Sequence, residues 1–294
     1  MSPLSAVRRA RPARWQFGLL ALVVVLLAAG ITLYLDERNS RQEPRRLGVE
    51  VVGDGVELDM TVQEVDPNAQ EVTLYTVLVP HGALATGPES LTFTRPVEVT
   101  VNAQTATKLK VEAGQAAQPQ AITLGLYGGT PSDYPFDRYK LSASWAASSG
   151  GQPVPLEVLF TDADPFFLTK AKDVSEAPSE AVLEAKITRS RSTFILAWFM
   201  IATMWALALS VLGGAQVLIR KRSPLVWPAL GWMAATLFAL IGLRNAATGS
   251  PPIGCLMDYV ALFWAEGIIA ASLVCAVASG LRAEHRAAAA EAGG

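Results

Sequence analysis

The chain has 294 residues, 51% of them hydrophobic, and a formal net charge of −2. Its apolar residues gather into a few long runs, which excludes a water-soluble globule as the whole account. Residues 36–191 carry 14 Lys and Arg against 22 Asp and Glu, a balance of −8 that leaves +6 on the rest, and so acidic a segment repels phosphate and excludes nucleic acid as its partner.

In chain order, Arg8, Arg9, Arg11 and Arg14 make residues 1–14 a basic segment, expected on the cytoplasmic side. Residues 15–35 hold no charge and are long enough for a first transmembrane helix. A cleaved signal peptide is the competing reading, with Ala28-Ala29-Gly30 as the cleavage site. The run of about 21 apolar residues exceeds a signal h-region, which favours an uncleaved anchor. Residues 36–46 are polar and predict a tether.

From 47 to 191 the pattern changes to period two. Val56, Leu58, Met60 and Val62 alternate with Glu57, Asp59 and Thr61, as on a half-buried strand. Similar strands are expected over 71–79, 91–101, 107–111, 121–127, 139–145, 156–161 and 181–188, separated by Pro-, Gly- and Asn-rich turns. About eight short strands at this spacing predict an antiparallel β-sandwich-like domain. It contains no cysteine, so it must fold without a disulfide.

Residues 192–219, 224–243 and 259–281 are the expected second, third and fourth transmembrane helices. Arg220, Lys221 and Arg222 lie in the turn 220–223, and Arg282 and Arg286 in the tail 282–294. The positive-inside rule puts both on the cytoplasmic face with the N-terminus, and the β domain and the loop 244–258 outside. The predicted fold is therefore four transmembrane helices with an extracytoplasmic β-sandwich-like domain inserted between the first and second, in a bacterial cell membrane. In the fourth helix Gly267, Ala271, Cys275 and Ser279 recur every four residues, a narrow face that lets helix backbones approach in lipid. Cys255 in the loop and Cys275 in the span are expected as free thiols.

Two constellations stand out. Tyr134-Pro135-Phe136-Asp137-Arg138-Tyr139 lies between a Gly-rich turn and a strand: Pro135 blocks a ladder hydrogen bond, and Asp137 can accept backbone N–H bonds across a turn. Structural corner and binding site are both open readings of it. The second runs from Arg244-Asn245 through Pro251-Pro252-Ile253-Gly254 to Asp258-Tyr259 and Phe263-Trp264-Ala265-Glu266. Glu266, about 10 Å inside the span, is costly to bury and is by default a functional candidate, its alternative a structural ion pair. Arg244 is expected to serve both Asp258 and Glu266, which stand about 80° apart on a helix.

Together these motifs resemble a family of membrane proteins catalogued as domain of unknown function 4436. The resemblance runs over nearly the whole chain, with Thr248 standing where the family pattern has a proline before Gly249. It implies a multi-pass topology in a mainly actinobacterial setting, and no activity. A more distant resemblance is to pentameric ligand-gated channels, which also join a β-sandwich to membrane helices and carry a Pro-Phe-Asp corner. This chain departs from them in lacking the paired cysteines at that corner and in having three spans after the sandwich.

Enzyme signatures are poor: H-E-x-x-H, G-x-S-x-G and a phosphate-binding Gly loop are absent from the sequence. His81 follows Pro80 at a strand end and is expected on a surface turn, and Asp162-Ala163-Asp164 before Pro165 on a solvated turn rather than a cation site. No catalytic residue, metal ligand or cofactor is expected. The leading expectation is a non-enzymatic envelope recognition or assembly protein, with membrane lipid and an envelope protein or a second copy as partners. A transporter or channel subunit is the alternative, and an enzyme without a recognisable motif the third.

Overall fold

The long apolar runs are helical and the alternating segments are strands in the computed structural model, which describes residues 14–48, 50–51, 53–87, 90–102, 107–175 and 177–292. Two compact units make up the chain, residues 1–43 and 44–294. The described part of the first is a single helix, α1 (Arg14–Gln42). It continues through most of the segment expected as a polar tether, where Glu37 and Arg41, one turn apart, pair at 3.7 Å. The basic segment 1–13, with Arg8, Arg9 and Arg11, lies outside the described residues.

In the second unit eleven strands are described: β1 (Arg45–Gly48), β2 (Gly55–Asp66), β3 (Glu71–His81), β4 (Val97–Asn102), β5 (Thr107–Val111), β6 (Gln120–Gly125), β7 (Arg138–Ser149), β8 (Gln152–Pro153), β9 (Leu156–Asp162), β10 (Phe167–Asp173) and β11 (Glu180–Arg189). One sheet has the order β1-β9-β2-β3-β6, and the other β10-β11-β7-β4-β5 with β8 beside β7. Their inward faces share one core. Val56, Leu58 and Met60 of the first sheet and Val99, Tyr139, Trp145 and Ile187 of the second all belong to it, each at most 1% exposed. This is a β-sandwich-like region. It is not wholly antiparallel as expected, since β2 and β9 run parallel from Val56↔Leu156 to Val62↔Asp162. β9 enters the sheet after a long excursion through the second sheet, and a crossover of that kind permits parallel pairing where a hairpin does not.

The helices that follow are α2 (Arg191–Arg220), α3 (Trp227–Asn245) and α4 (Phe263–Ala292), the last preceded by a π-helical turn over Asp258–Leu262. Trp205 Nε1 donates to the Val260 carbonyl at 3.2 Å inside that turn, satisfying an oxygen from the interrupted α-helical ladder. Met204, Ala208 and Val211 of α2 meet Leu230 and Leu240 of α3 and Ala265 and Ile269 of α4 in a second core. The outward faces are apolar as well: Phe199 is 63%, Phe238 72% and Val274 67% exposed. Gly267, Ala271 and Cys275 of the small-residue stripe are on the exposed side, while Ala261 of the π turn and Ala265 and Ala276 of α4 face the shared core.

Among the described residues, three helical segments are long and apolar enough to cross a membrane: Arg191–Arg220, Trp227–Asn245 and Asp258–Glu291. All follow the β region. The expectation of four spans with the β domain inserted between the first and second is corrected to a β-sandwich-like region followed by three candidate spans, with α1 in a unit of its own. Run length, absence of charge and the alternating basic clusters pointed to four, whereas α1 joins its apolar stretch to charged and polar last turns, from Asp36 to Gln42.

Candidate functional site: the junction of the β region and the helices

The chain passes from β11 into α2 without a linker, and the passage is built around Arg189. Ala181, Leu183, Ala185 and Ile187 of β11 alternate into the core. Arg189 keeps their parity, so its side chain also points inward and is 1% exposed. Its Nε donates to Asp137 Oδ1 at 3.0 Å and its Nη2 to Asp137 Oδ2 at 2.9 Å, the forked geometry that guanidinium and carboxylate favour. The guanidinium carbon Cζ lies over both neighbouring rings, 4.2 Å from the Phe167 ring centre and 4.9 Å from that of Tyr134.

Asp137 ends the turn Tyr134-Pro135-Phe136, which includes a cis peptide bond before Pro135, and its side chain is fully buried. Tyr139 Oη donates to Asp137 Oδ2 at 3.0 Å. Burial, first, and the neighbouring Asp137 carboxylate push the Tyr139 phenol far above its ordinary value, which keeps its proton in place for that bond. Burial also raises the Tyr134 phenol. Phe136 reaches across to α2 and meets Phe194 edge to face, with centroids 5.4 Å apart. The remaining arm of Arg189, Nη1, donates to the Thr248 carbonyl at 3.2 Å, in the loop between α3 and α4. Gly249 beside it has φ +72°, and a Cβ there would overlap Nη1.

Ser190 follows Arg189 and caps α2: its Oγ accepts from Thr193 N at 3.3 Å, while its own N–H donates to Phe166 O at 2.8 Å. Thr248 Oγ1 lies 3.5 Å from Tyr134 Oη and 3.4 Å from Thr193 Oγ1. Tyr134, Ala197, Met200, Ala247, Cys255 and Met257 close a small apolar cluster beneath. Strand end, corner, helix start and α3–α4 loop thus meet in one buried node.

A second ion pair organises the other end of that loop. Arg244, the last cation of α3, donates through Nε to Asp258 Oδ1 at 3.1 Å and through Nη2 to Asp258 Oδ2 at 2.9 Å. Nη2 also reaches the carbonyls of Pro251 at 3.1 Å and Pro252 at 2.8 Å. Gly254, at φ +86°, turns its N–H to Asp258 Oδ2 at 2.8 Å. Asp258 is wholly buried and Arg244 7% exposed.

Of the residues singled out in the sequence, Tyr134, Pro135, Phe136, Asp137 and Tyr139 fall in the first node, and Arg244, Pro251, Pro252, Gly254 and Asp258 in the second. Asn245 and Trp264 are exposed and stand apart from both. Glu266 is half-buried and makes no ion pair among the described residues, so the expected sharing of Arg244 between Asp258 and Glu266 is not formed. Eight helical residues set the two carboxylates about 12 Å apart along the axis, and the Arg244 fork is already taken by Asp258 and two carbonyls. Asp162 and Asp164, expected on a solvated turn, are 5% and 2% exposed. Asp164 accepts backbone N–H bonds from Val65, Phe166 and Phe167, and Asp162 from Asp164 and Thr169, so both carboxylates tie the turn between β9 and β10 together. Both cysteines are free, Cys255 buried and Cys275 exposed.

Comparison with known families divides the chain at this junction. Residues 189–283 match a family described as Domain of unknown function (DUF8686), and none of the curated proteins is similar enough to match. The closing helices, which the sequence motifs had grouped with the β domain, are thus matched separately, and the Arg189–Asp137 pair joins one matched segment to the other. Residues 47–188 match the family described as Domain of unknown function (DUF4436).

Proposed function

We infer that this is a non-enzymatic membrane protein in which the β-sandwich-like region is a recognition or assembly module, exposed on the outer face of a bacterial cell membrane and held rigidly on its helices. The observation that carries the reading is the sealed Arg189–Asp137 node, which bonds the β region to the α3–α4 loop as well as to α2. A module that only needed a tether would have no use for a buried ion pair at its base. The orientation is supported by the basic residues at the far ends of α2 and α4, Arg220, Lys221 and Arg222 and then Arg282 and Arg286. Its partners in this reading are membrane lipid and an envelope protein or a second copy.

A transport or channel subunit is the second reading. It is favoured by Glu266, a half-buried carboxylate within an apolar helix and without an ion-pair partner among the described residues.

In a background lacking Cys255 and Cys275, single cysteines at Ser148 and Ser223 test the orientation. An impermeant maleimide is expected to label the first in intact cells and the second only after permeabilisation, and the opposite pattern overturns the reading. Purification in mild detergent tests recognition: a defined component retained in fixed proportion is expected, and a chain that always elutes alone counts against it. A Glu266-dependent ion flux in proteoliposomes would replace the leading reading with the second.

A further inference from the structure

At the end of the helices away from the β region, Arg222, Arg282 and Arg286 line one cavity of about 400 Å³, together with Ile219, Ser279 and Ala283. The walls are held by contacts that do not use the arginines. Leu225 N donates to Glu284 Oε1 at 3.2 Å, so the one carboxylate close by in sequence is turned to the backbone of the α2–α3 turn. Gly280 packs so tightly on Leu225 that a Cβ there would lie 3.0 Å from its side chain. Among the described residues none of the three guanidinium groups has an ion-pair partner.

The backbone at Arg222 adds a second observation. Arg222 N donates to Ile219 O at 3.1 Å and Ser223 N to Leu218 O at 3.3 Å, so the last turn of α2 closes in the manner of a left-handed helix cap. Arg222 occupies that cap at φ +50°, a conformation that favours glycine or asparagine. An arginine is held there against local backbone preference, with its side chain lining the cavity that contains two more unpaired arginines. Three permanent cations gathered at the end of an apolar bundle call for a multivalent anion, and planar guanidinium groups match phosphate oxygens in particular.

We propose that this cavity binds a phosphate group, and that its source is the headgroup of an anionic phospholipid in the leaflet on that side. The lipid source rests on the membrane reading above. The arginines lie at the ends of α2 and α4, where a headgroup phosphate meets them while its acyl chains run along the exposed apolar faces of the helices.

Native mass spectrometry of the full chain in neutral detergent, with added phosphatidylglycerol or phosphatidylcholine and with inorganic phosphate as competitor, tests this. The parent is expected to retain phosphatidylglycerol in preference to phosphatidylcholine. Each of Arg222→Gln, Arg282→Gln and Arg286→Gln is expected to weaken retention about fivefold, and the triple variant to abolish the preference. Arg95→Gln, in the β region, serves as a control without effect. Arg222→Gly separates binding from folding, because it relieves the backbone while removing a cation: lipid retention should fall with thermal stability unchanged or raised. Displacement of lipid by inorganic phosphate, with the same arginine dependence, would support the phosphate site and move its source from lipid to water. Equal retention of the two lipids by the parent, or an unchanged preference in the triple variant, overturns the proposal. Reversed cysteine labelling in cells would defeat the orientation and leave the micelle result standing, so the two failures are distinguishable.

Discussion

Arg189 and Asp137, 52 positions apart, are joined by a forked ion pair whose two side chains are 1% and 0% exposed. A pair so buried need not add net stability, since both charges were taken out of water to make it. Breaking it is another matter. Asp137→Leu leaves a guanidinium without its carboxylate, and Arg189→Met leaves the reverse, so each should cost about 3–5 kcal/mol. Replacing both together by apolar residues, as in Arg189→Met with Asp137→Leu, should cost less than either single change. Thermal unfolding of the four proteins in one detergent checks this, and additive losses would show that the residues do not act as a pair.

Gly249 is where the α3–α4 loop approaches the same guanidinium. Its φ of +72° costs a side chain about 1–2 kcal/mol, and a Cβ would in addition push against Arg189 Nη1. Gly254 has φ +86° with nothing within 4 Å of its Cβ position. Gly249→Ala should therefore lower the unfolding temperature more than Gly254→Ala does. Equal losses would mean that only the backbone conformation matters.

The start of α2 offers a smaller effect. Ser190→Ala removes the acceptor of the Thr193 N–H and should cost about 1 kcal/mol. Hydrogen exchange restricted to the first turn of α2 is the expected signature, with the β region unaffected. Loss of protection throughout β11 would indicate that Ser190 supports the node more than the helix.

The sequence made much of this legible and hid the rest for identifiable reasons. Long charge-poor runs mark α2, α3 and α4, which have the length and composition that a membrane span needs. The inward strand residues could be read from their period of two. β1 could not, because Arg45 and Arg46 sit in a polar run, and Pro165 and Phe166 disguised the start of β10. Arg189 was the principal miss. Its signal is present in the parity of Ala181, Leu183, Ala185 and Ile187, but the expected strand stops at 188, one residue short of it. The parallel pairing of β2 and β9 is a long-range choice that no local pattern carries, and the π turn over Asp258–Leu262 has no local mark either.

Arg244 and Glu266 give the last contrast, since both are ionisable residues near the same ends of α3 and α4 but differ in what they hold. Arg244 engages both oxygens of a wholly buried Asp258 and the carbonyls of Pro251 and Pro252, so its removal strands one charge and two acceptors together. Gly254 N would remain on Asp258, which softens the loss without cancelling the charge. Arg244→Ala should therefore cost about 3–5 kcal/mol and lower the amount of protein in the membrane. Arg244→Lys should recover only part of this, because an ammonium cannot fork across a carboxylate while also reaching two carbonyls. Glu266 has no ion pair among the described residues, and Glu266→Gln keeps its shape and hydrogen-bonding capacity, so it should change stability by less than about 0.5 kcal/mol. Thermal unfolding and quantitation in isolated membranes measure both effects. Equal tolerance of the two substitutions would show that the Arg244–Asp258 pair does not hold the loop. A large loss at Glu266 alone would mean that its carboxylate has a partner outside the described chain, such as a second copy packed along α4.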